Sequence, residues 1–198
     1  MTLKGCQMSN KKFLAIFDMD GTLFDTRKTN FLAYNEAINE VVGCSIDYDI
    51  FNEASNGHNY KKFLPELMQK ISKDEIEKIH NLKKIFFQKY IKFAIKNDHL
   101  FRIILAIKDI YVIALATTAS KKNTIDILTF FKVHDLFEVI VTQDDVVNLK
   151  PDPECFTKIM RELSIEPSKT LIFEDSIVGM KAARLSKASV ANIEIFNE

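Results

Sequence analysis

The second half of the chain alternates short apolar segments with amphipathic ones, and this alternation narrows the possible folds more than any other feature. The apolar segments carry no charge and predict strands at Phe13–Phe17, Tyr111–Ala116, Val139–Thr142, Thr170–Phe173 and Ser189–Ile193. The amphipathic segments predict helices at Leu100–Ile110, Lys121–Phe131, Pro153–Leu163 and Ile177–Leu185. Strands that are apolar along their whole length are typical of a parallel sheet with helices on both faces. The sequence therefore predicts an α/β fold with a doubly wound parallel sheet.

A segment of different character separates the first strand from the others. Residues 26–97 place apolar residues at intervals of three and four, which predicts amphipathic helices at about Thr29–Val42, Tyr60–Ile71 and Asp74–Lys96. Gly43 follows the first of these helices as a stop signal. We therefore predict a core in two parts, residues 11–25 and 98–198, that is interrupted by a helical insert at residues 26–97.

Composition excludes several classes of protein. The chain has 27 Lys and Arg against 27 Asp and Glu, so it lacks the basic excess of proteins that bind nucleic acid or membrane surfaces by bulk charge. No apolar run could span a bilayer, and polar residues 1–12 do not form a secretory signal. We expect a cytoplasmic protein that is a monomer or weak dimer and binds neither nucleic acid nor membrane. Met8 is a plausible translation start.

Four of the predicted strands end in distinctive polar groups. These are Asp18-Met19-Asp20-Gly21-Thr22, Thr117-Thr118, Lys150-Pro151 and Glu174-Asp175, in chain order. Parallel sheets bind ligands at the carboxyl ends of their strands. Two carboxylates one residue apart can divide the work of a nucleophile and a proton carrier. The alternatives are a solvated acidic turn, a surface lysine, and an acidic pair that only caps the following helix.

The ordered set resembles the four motifs of the haloacid dehalogenase superfamily of phosphotransferases. Those motifs are DxDGT, a Thr or Ser after a hydrophobic strand, a Lys-Pro pair, and an acidic pair before a helix that contains glycine. The resemblance covers nearly the whole chain. It implies a Rossmann-like doubly wound parallel sheet core with an inserted all-helical cap domain, as in the branch of phosphoglycolate phosphatase and β-phosphoglucomutase.

The resemblance implies roles for the acidic residues. Asp18 would be the nucleophile that forms an aspartyl-phosphate, and Asp20 would protonate the leaving group and later deprotonate water. A cation must lie between a carboxylate and a phosphate dianion, and Mg²⁺ prefers such hard oxygen ligands. Its ligands would be Asp18, the backbone carbonyl of Asp20, and Glu174 or Asp175, of which Asp175 has the stronger claim.

The other motif residues would bind the phosphoryl group. Thr117 would supply a hydroxyl and Thr118 a backbone N–H. Because the two are adjacent, either could be the residue whose hydroxyl binds the phosphate. We favour Thr117 because it directly follows the strand. Lys150, held extended by the following proline, would neutralise the nucleophile and a phosphoryl oxygen. Gly21, counted with the phosphate-binding residues, permits a tight turn, and Gly179 within a predicted helix indicates close packing or close backbone approach.

The insert supplies the candidates for substrate selection. Its most polar loop spans Asn56–Lys62, and we predict that His58 and Lys61 or Lys62 face the substrate, although the lysines could equally be the solvated face of a helix. The predicted function is a Mg²⁺-dependent phosphatase acting on a small phosphorylated metabolite of the sugar phosphate or phosphoglycolate type. A β-phosphoglucomutase-like hexose-phosphate mutase is the first alternative. A non-catalytic module that binds phosphometabolites or proteins is the second.

Overall fold

The computed structural model describes residues 11–55 and 58–194, so the predicted start at Met8 lies outside these ranges. The strands are β1 (Phe13–Phe17), β2 (Phe24–Asp25), β3 (Ile95–Lys96), β4 (Tyr111–Ala116), β5 (Val139–Val141), β6 (Thr170–Glu174) and β7 (Ser189–Asn192). The helices are α1 (Arg27–Val42), α2 (Tyr48–Ser55), α3 (Tyr60–Leu67), α4 (Lys73–Tyr90), α5 (Asp98–Ile107), α6 (Lys121–Phe130), α7 (Glu154–Leu163) and α8 (Ile177–Leu185).

The main sheet is parallel, with the strand order β5-β4-β1-β6-β7. Alternate residues of β1 enter two separate apolar clusters, because successive side chains of a strand point to opposite faces. Leu14 and Ile16 belong to the cluster that includes Phe156 of α7, whereas Ala15 and Phe17 belong to the one formed with α5 and α6. Helices therefore cover both faces, and the prediction of a doubly wound α/β fold is confirmed.

Helices α1 to α4, called the cap helices below, lie between β2 and β3 in the chain and share an apolar cluster of their own. Helix α1 ends at Gly43 as predicted, in the left-handed region with a φ of 75°. Helix α4 begins with a capping box between Ser72 and Glu75. None of the helices in the described ranges is long and apolar enough to cross a membrane. The domain limits at residues 25–26 and 97–98 stay a prediction.

The insert differs from its prediction in three places. Helix α3 ends at Leu67 and does not reach the predicted Ile71. Helix α4 stops at Tyr90 instead of continuing to Lys96, because Ile95–Lys96 pairs antiparallel with Phe24–Asp25. This pairing places the start and the end of the insert side by side. Helix α2 was not predicted; it spans only two turns and buries Phe51 against the other cap helices.

Candidate active site

Sheet topology brings three of the predicted motifs together. Strand β1 lies between β4 and β6, so the residues that follow these three strands meet at one edge. The ladder continues one residue beyond two of the strands: the Asp18 N–H donates to the Phe173 carbonyl at 3.0 Å, and the Thr117 N–H donates to the Val141 carbonyl at 2.9 Å. Asp18, Thr117 and Glu174 thus have backbones that are fixed by the sheet.

Lys150 reaches this edge from the segment between β5 and α7. Its Nζ donates to Asp18 Oδ1 at 2.6 Å, to Glu174 Oε1 at 2.7 Å and to the Ala116 carbonyl at 3.1 Å. The side chain is only 4% exposed. Burial alone would lower the pKa of Lys150, but the charges of Asp18 and Glu174 outweigh it and raise that pKa, so the side chain stays an ammonium. Burial raises the pKa of Asp18, and Lys150 opposes this shift.

The predicted acidic pair occupies the same corner. Glu174 Oε2 accepts hydrogen bonds from the backbone N–H and the hydroxyl of Ser176, at 2.9 and 3.1 Å. Asp175 Oδ1 accepts one from the Thr22 hydroxyl at 2.8 Å. Burial raises the pKa of Asp175 to about 6. The pair thus does more than cap α8, since each carboxylate is held by a separate donor.

The acidic cluster is suited to a divalent metal ion. Asp18, Glu174 and Asp175 can each offer a carboxylate oxygen, and these three oxygens lie within 4.8 Å of one another. When ionised, the three carboxylates and Lys150 carry a net charge of −2 (three negative, one positive) in a largely buried site. Hard oxygen donors with excess negative charge match the requirements of Mg²⁺. The identity of the metal stays a prediction, as does a ligand from the Asp20 carbonyl.

Two glycines make room for this cluster. Gly21 has a φ of 88°, and a Cβ there would overlap the Asp175 carboxylate. A Cβ at Gly179, in the first turn of α8, would overlap the Glu174 carboxylate. The close approach expected at Gly179 is therefore present, and its cause is a side chain of the acidic pair.

Asp20 is not hydrogen-bonded to Lys150 and is held by a different set of side chains. Its Oδ1 accepts a hydrogen bond from the Thr26 hydroxyl, and that hydroxyl accepts one from Asn30 Nδ2 at 3.0 Å. Burial raises the pKa of Asp20, whereas the Thr26 hydrogen bond and the charge of Lys83 act to lower it. A carboxyl group with a raised pKa can carry a proton closer to neutral pH, which a general acid requires.

The two threonines after β4 face different surroundings. Thr117 is 2% exposed, and its hydroxyl accepts a hydrogen bond from the Ala119 N–H at 3.0 Å. Thr118 is exposed and lines the cavity described below, whereas Thr117 does not. The structure therefore places Thr118, rather than the favoured Thr117, in the wall that a substrate would meet.

A cavity of about 310 Å³ separates the strand ends from the cap helices. The core contributes Asp18, Asp20, Thr118, Lys150, Glu174 and Asp175 to its wall. The cap helices and their loops contribute Asn30, Tyr34, Phe51, His58, Tyr60, Phe63, His80, Lys83 and Phe87, among others. The cavity therefore joins all the predicted acidic residues to a cap wall of aromatic, amide and basic side chains.

Only one of the three predicted cap residues is part of this wall. His58 lines the cavity, and its Nε2 lies 2.8 Å from Lys62 Nζ. Lys61 is paired with Glu77 at 3.1 Å, and its side chain is 66% exposed. Neither Lys61 nor Lys62 lines the cavity. Asn56 and Gly57, from the same predicted loop, lie outside the described residues.

Sequence reasoning missed two polar residues of α4 that do line the cavity, His80 and Lys83. Lys83 is 9% exposed, and its Nζ lies 4.7 Å from the centre of the Phe87 ring. Burial lowers the pKa of Lys83 to about 8, although the charge of Asp20 opposes this. A signal was present in the sequence: Lys83 follows Ile79 by four residues and precedes Phe87 by four, which is the spacing of the buried face.

Comparison with known proteins decides the family. The haloacid dehalogenase-like hydrolase family matches residues 15–193. The chain belongs to this family. The predicted family and the predicted enzyme class, a hydrolase, are confirmed.

Individual relatives of this hydrolase agree with that assignment. It is 32% identical over 175 residues to a phosphorylated carbohydrates phosphatase of Thermotoga maritima, with 85% of the chain and 79% of the relative covered. It resembles the CbbY structure of Rhodobacter sphaeroides in complex with xylulose-1,5-bisphosphate, with a TM-score of 0.79, 25% identity, and 91% and 87% of the two chains covered. A putative β-phosphoglucomutase of Thermotoga maritima gives a TM-score of 0.72 at 28% identity, with 94% and 88% covered.

Proposed function

We propose that this hydrolase is a Mg²⁺-dependent phosphatase that releases phosphate from a small phosphorylated metabolite through an aspartyl-phosphate on Asp18. The observation that carries the proposal is the Lys150 ammonium between Asp18 and Glu174 at the base of the cavity. A second carboxyl group with a raised pKa, Asp20, lines the same cavity. The phosphatase of phosphorylated carbohydrates from Thermotoga maritima supports this class of substrate.

In the first chemical step Asp18 acts as the nucleophile. Its Oδ1 is paired with Lys150, so Oδ2 is the oxygen that attacks phosphorus. A bond forms between Oδ2 and phosphorus while the bond from phosphorus to the leaving oxygen breaks, and Asp20 passes its proton to that oxygen. Lys150 favours the ionised form of the nucleophile, against the effect of burial, and offsets the negative charge of the phosphoryl oxygens.

In the second step water replaces Asp18 on phosphorus. Asp20, now a carboxylate, takes a proton from the water, whose oxygen bonds to phosphorus while the bond from phosphorus to Asp18 Oδ2 breaks. Asp18, Glu174 and Asp175 would hold the Mg²⁺ ion, which supplies charge neutralisation between the nucleophile and the phosphate when it is bound. Thr118 in the cavity wall is the proposed phosphate contact, with Thr117 and Gly21 shaping the backbone around it.

The size of the cavity favours small substrates. A volume of about 310 Å³ lies at the lower end of the range for small-molecule sites. The cap helices cover the acidic cluster on the side away from the sheet, which limits access for a large substrate. Transfer of the phosphoryl group to another hydroxyl of the same sugar is the second candidate, because the putative β-phosphoglucomutase shares the fold at 28% identity.

The test measures inorganic phosphate released from sugar phosphates, phosphoglycolate and nucleotides, with Mg²⁺ or with EDTA. We expect release from at least one compound in Mg²⁺, none in EDTA, and none from Asp18→Asn. The matched control is Asp135→Asn, which changes a fully exposed carboxylate outside the cavity wall. This variant should release phosphate at the wild-type rate. Release that survives in Asp18→Asn would overturn the mechanism, and isomerisation of a hexose phosphate without release would favour the mutase.

A further inference from the structure

Helix α4 is the cap helix that packs against the core. Its residue Phe87 belongs to the same apolar cluster as Ile127 of the core helix α6. Ile76 and Ile79, nearer the start of α4, belong instead to the cluster of the cap helices. Because α4 also carries Lys83, which lines the cavity, the contact between α4 and α6 decides how the cap helices meet the strand ends.

One side chain of α6 forms a hydrogen bond across this contact. Asn123 is 2% exposed, and its Nδ2 donates to the Lys84 carbonyl of α4 at 3.3 Å. A backbone carbonyl has two lone pairs, so Lys84 can accept this bond in addition to its bond within the helix. Among the described residues, the other hydrogen bonds between the insert and the core lie at its two chain connections, around residues 26–30 and 95–97.

The surroundings of Asn123 determine which way its amide points. The Ser120 hydroxyl accepts the Asn123 backbone N–H at 3.3 Å and donates its own proton to Asn123 Oδ1 at 2.9 Å. Since Oδ1 is the acceptor in this pair, the NH₂ group faces the Lys84 carbonyl. An oxygen in that place would be repelled by the carbonyl oxygen. An amide therefore satisfies both neighbours, whereas a carboxylate satisfies Ser120 alone.

The catalytic side chains are nearly enclosed in this arrangement. Asp18 is 6% exposed and Glu174 is 1% exposed, and both line the cavity that the cap helices cover. Enclosed sites of this kind exchange substrate and product when the covering element moves away. A hydrogen bond between α4 and α6 exists only while these helices are in contact, so it favours the arrangement in which the cavity is assembled.

We propose that Asn123 is a positioning residue that holds the cap helices against the core through the Lys84 carbonyl. The bond raises the fraction of molecules in which the cavity is assembled, and the apparent affinity for every substrate rises with that fraction. Asn123 thus acts on binding in general, and neither on the choice of substrate nor on the chemical step. For its kinetic consequences, this inference rests on the proposed phosphatase function.

The decisive variant is Asn123→Asp, which exchanges the amide for a carboxylate of the same shape. The carboxylate still accepts the Ser120 hydroxyl, and its charge is favourable in the first turn of α6, but its second oxygen is repelled by the Lys84 carbonyl. We expect KM to rise about tenfold, by the same factor for every substrate, with kcat within about threefold of the wild type. In small-angle X-ray scattering without substrate, the radius of gyration should rise. Asn81→Asp, at an exposed amide of α4, is the control and should change neither quantity.

Asn123→Ala separates this role from a role in the stability of α6, and it carries the test if Asn123→Asp does not fold. It removes the bond to Ser120 together with the bond to Lys84, whereas Asn123→Asp keeps the former. The proposal predicts a similar rise in KM for both variants.

A role in α6 alone predicts a rise in Asn123→Ala that Asn123→Asp lacks, and this result would overturn the inference. So would an unchanged KM and radius in folded Asn123→Asp, or a rise in KM that differs by more than about threefold between substrates. If the wild type released no phosphate from any compound, the proposed function would fail, while scattering would still test the contact between α4 and α6.

Discussion

The cavity has a core wall, formed by the residues at the strand ends, and a cap wall, formed by the cap helices and their loops. The two walls differ in the partners of their polar groups. On the core wall Lys150 bonds to two carboxylates, Ser176 donates to the second oxygen of Glu174, and Thr22 donates to one oxygen of Asp175. On the cap wall Lys83 lies over an aromatic ring, and His80 Nε2 has no partner. The carboxylates of the core wall thus each accept a hydrogen bond from the protein itself, whereas these two polar groups of the cap wall have no hydrogen-bond partner among the described residues.

This difference separates chemistry from selection. A nucleophile and its cation must keep one geometry for every turnover, so hydrogen bonds that lock the core wall favour catalysis. A wall whose donors lack acceptors stabilises an occupant that carries those acceptors and excludes one that does not. The comparison predicts that substitutions in the core wall abolish turnover, whereas those in the cap wall alter stability and substrate preference.

The largest effect is expected from Lys150→Met. Phosphate release should fall roughly 10³-fold, because the nucleophile and the phosphoryl oxygens lose their cation. In EDTA the free energy of unfolding should fall by about 3–5 kcal/mol, since two buried carboxylates lose their partner. Release assays and urea unfolding measure the two effects. Lys122→Met, at a surface ion pair with Asp126, is the control, and activity within tenfold of the wild type would contradict the role of Lys150.

Gly179→Ala sharpens the same point without removing a charge. A Cβ at this position overlaps the Glu174 carboxylate, so we expect that side chain to move and phosphate release to fall about 100-fold. Alanine normally stabilises a helix, so a loss here reports the close contact alone. Gly43→Ala is the control: it meets open space but has a φ of 75°, so it should lower stability by about 1 kcal/mol and leave kinetics unchanged. Steady-state assays of both variants at several Mg²⁺ concentrations measure the effect. Unchanged phosphate release in Gly179→Ala would contradict the close contact with Glu174.

Lys83→Met should have opposite effects on stability and activity. It removes a buried cation that has no carboxylate bonded to it, so the free energy of unfolding at pH 7 should rise by about 1–2 kcal/mol. The folded pKa of about 8 lies below the unfolded one, so the advantage should shrink as the pH rises from 8 towards 10.5. We expect kcat/KM to fall about tenfold. Unfolding at pH 7 and pH 10 together with kinetics tests this, and a less stable variant would contradict it.

The smallest effect concerns acid stability of the cap. The folded pKa of His80, about 3, is below its unfolded value of 6.5, so its contribution is present above pH 6.5 and is lost as the pH falls. Between pH 7.5 and 5.5 the wild type should lose about 1 kcal/mol more than the variant with Tyr34→Phe and His80→Phe. Chemical unfolding at the two pH values measures this difference. Equal losses would show that His80 is not held neutral in the folded protein.

The core wall was predictable because its signals are local. The strand at Tyr111–Ala116 and the helix at Ile177–Leu185 have the bounds that their apolar pattern predicts. Asp18 directly follows β1 and Glu174 is the last residue of β6, so parallel pairing alone brings these two residues together. The choice between Thr117 and Thr118 was not predictable, because it depends on how the backbone turns after the strand.

The cap wall was hidden because it depends on contacts between distant segments. In the sequence, His80 and Lys83 have the spacing of the buried face of a helix, but no local pattern shows what that face meets; the packing of α4 over the strand ends makes them part of a cavity wall. Lys61 or Lys62 was predicted to face the substrate, but neither lines the cavity, and Glu77 on another helix pairs with Lys61 at the surface. The pairing of Phe24 with Lys96 joins residues far apart in the chain, so no local pattern indicates it.

The antiparallel pair of β2 and β3 has a consequence for the evolution of such proteins. It holds the two ends of the insert next to each other, and Asn97 adds hydrogen bonds to the carbonyls of Leu23 and Thr22. The segment between Asp25 and Ile95 is therefore connected to the core like a single long loop whose two ends are held together. The entropic cost of closing such a loop changes only slowly with its length. Selection can lengthen, shorten or replace that loop to suit a new metabolite while the catalytic edge of the sheet remains unchanged.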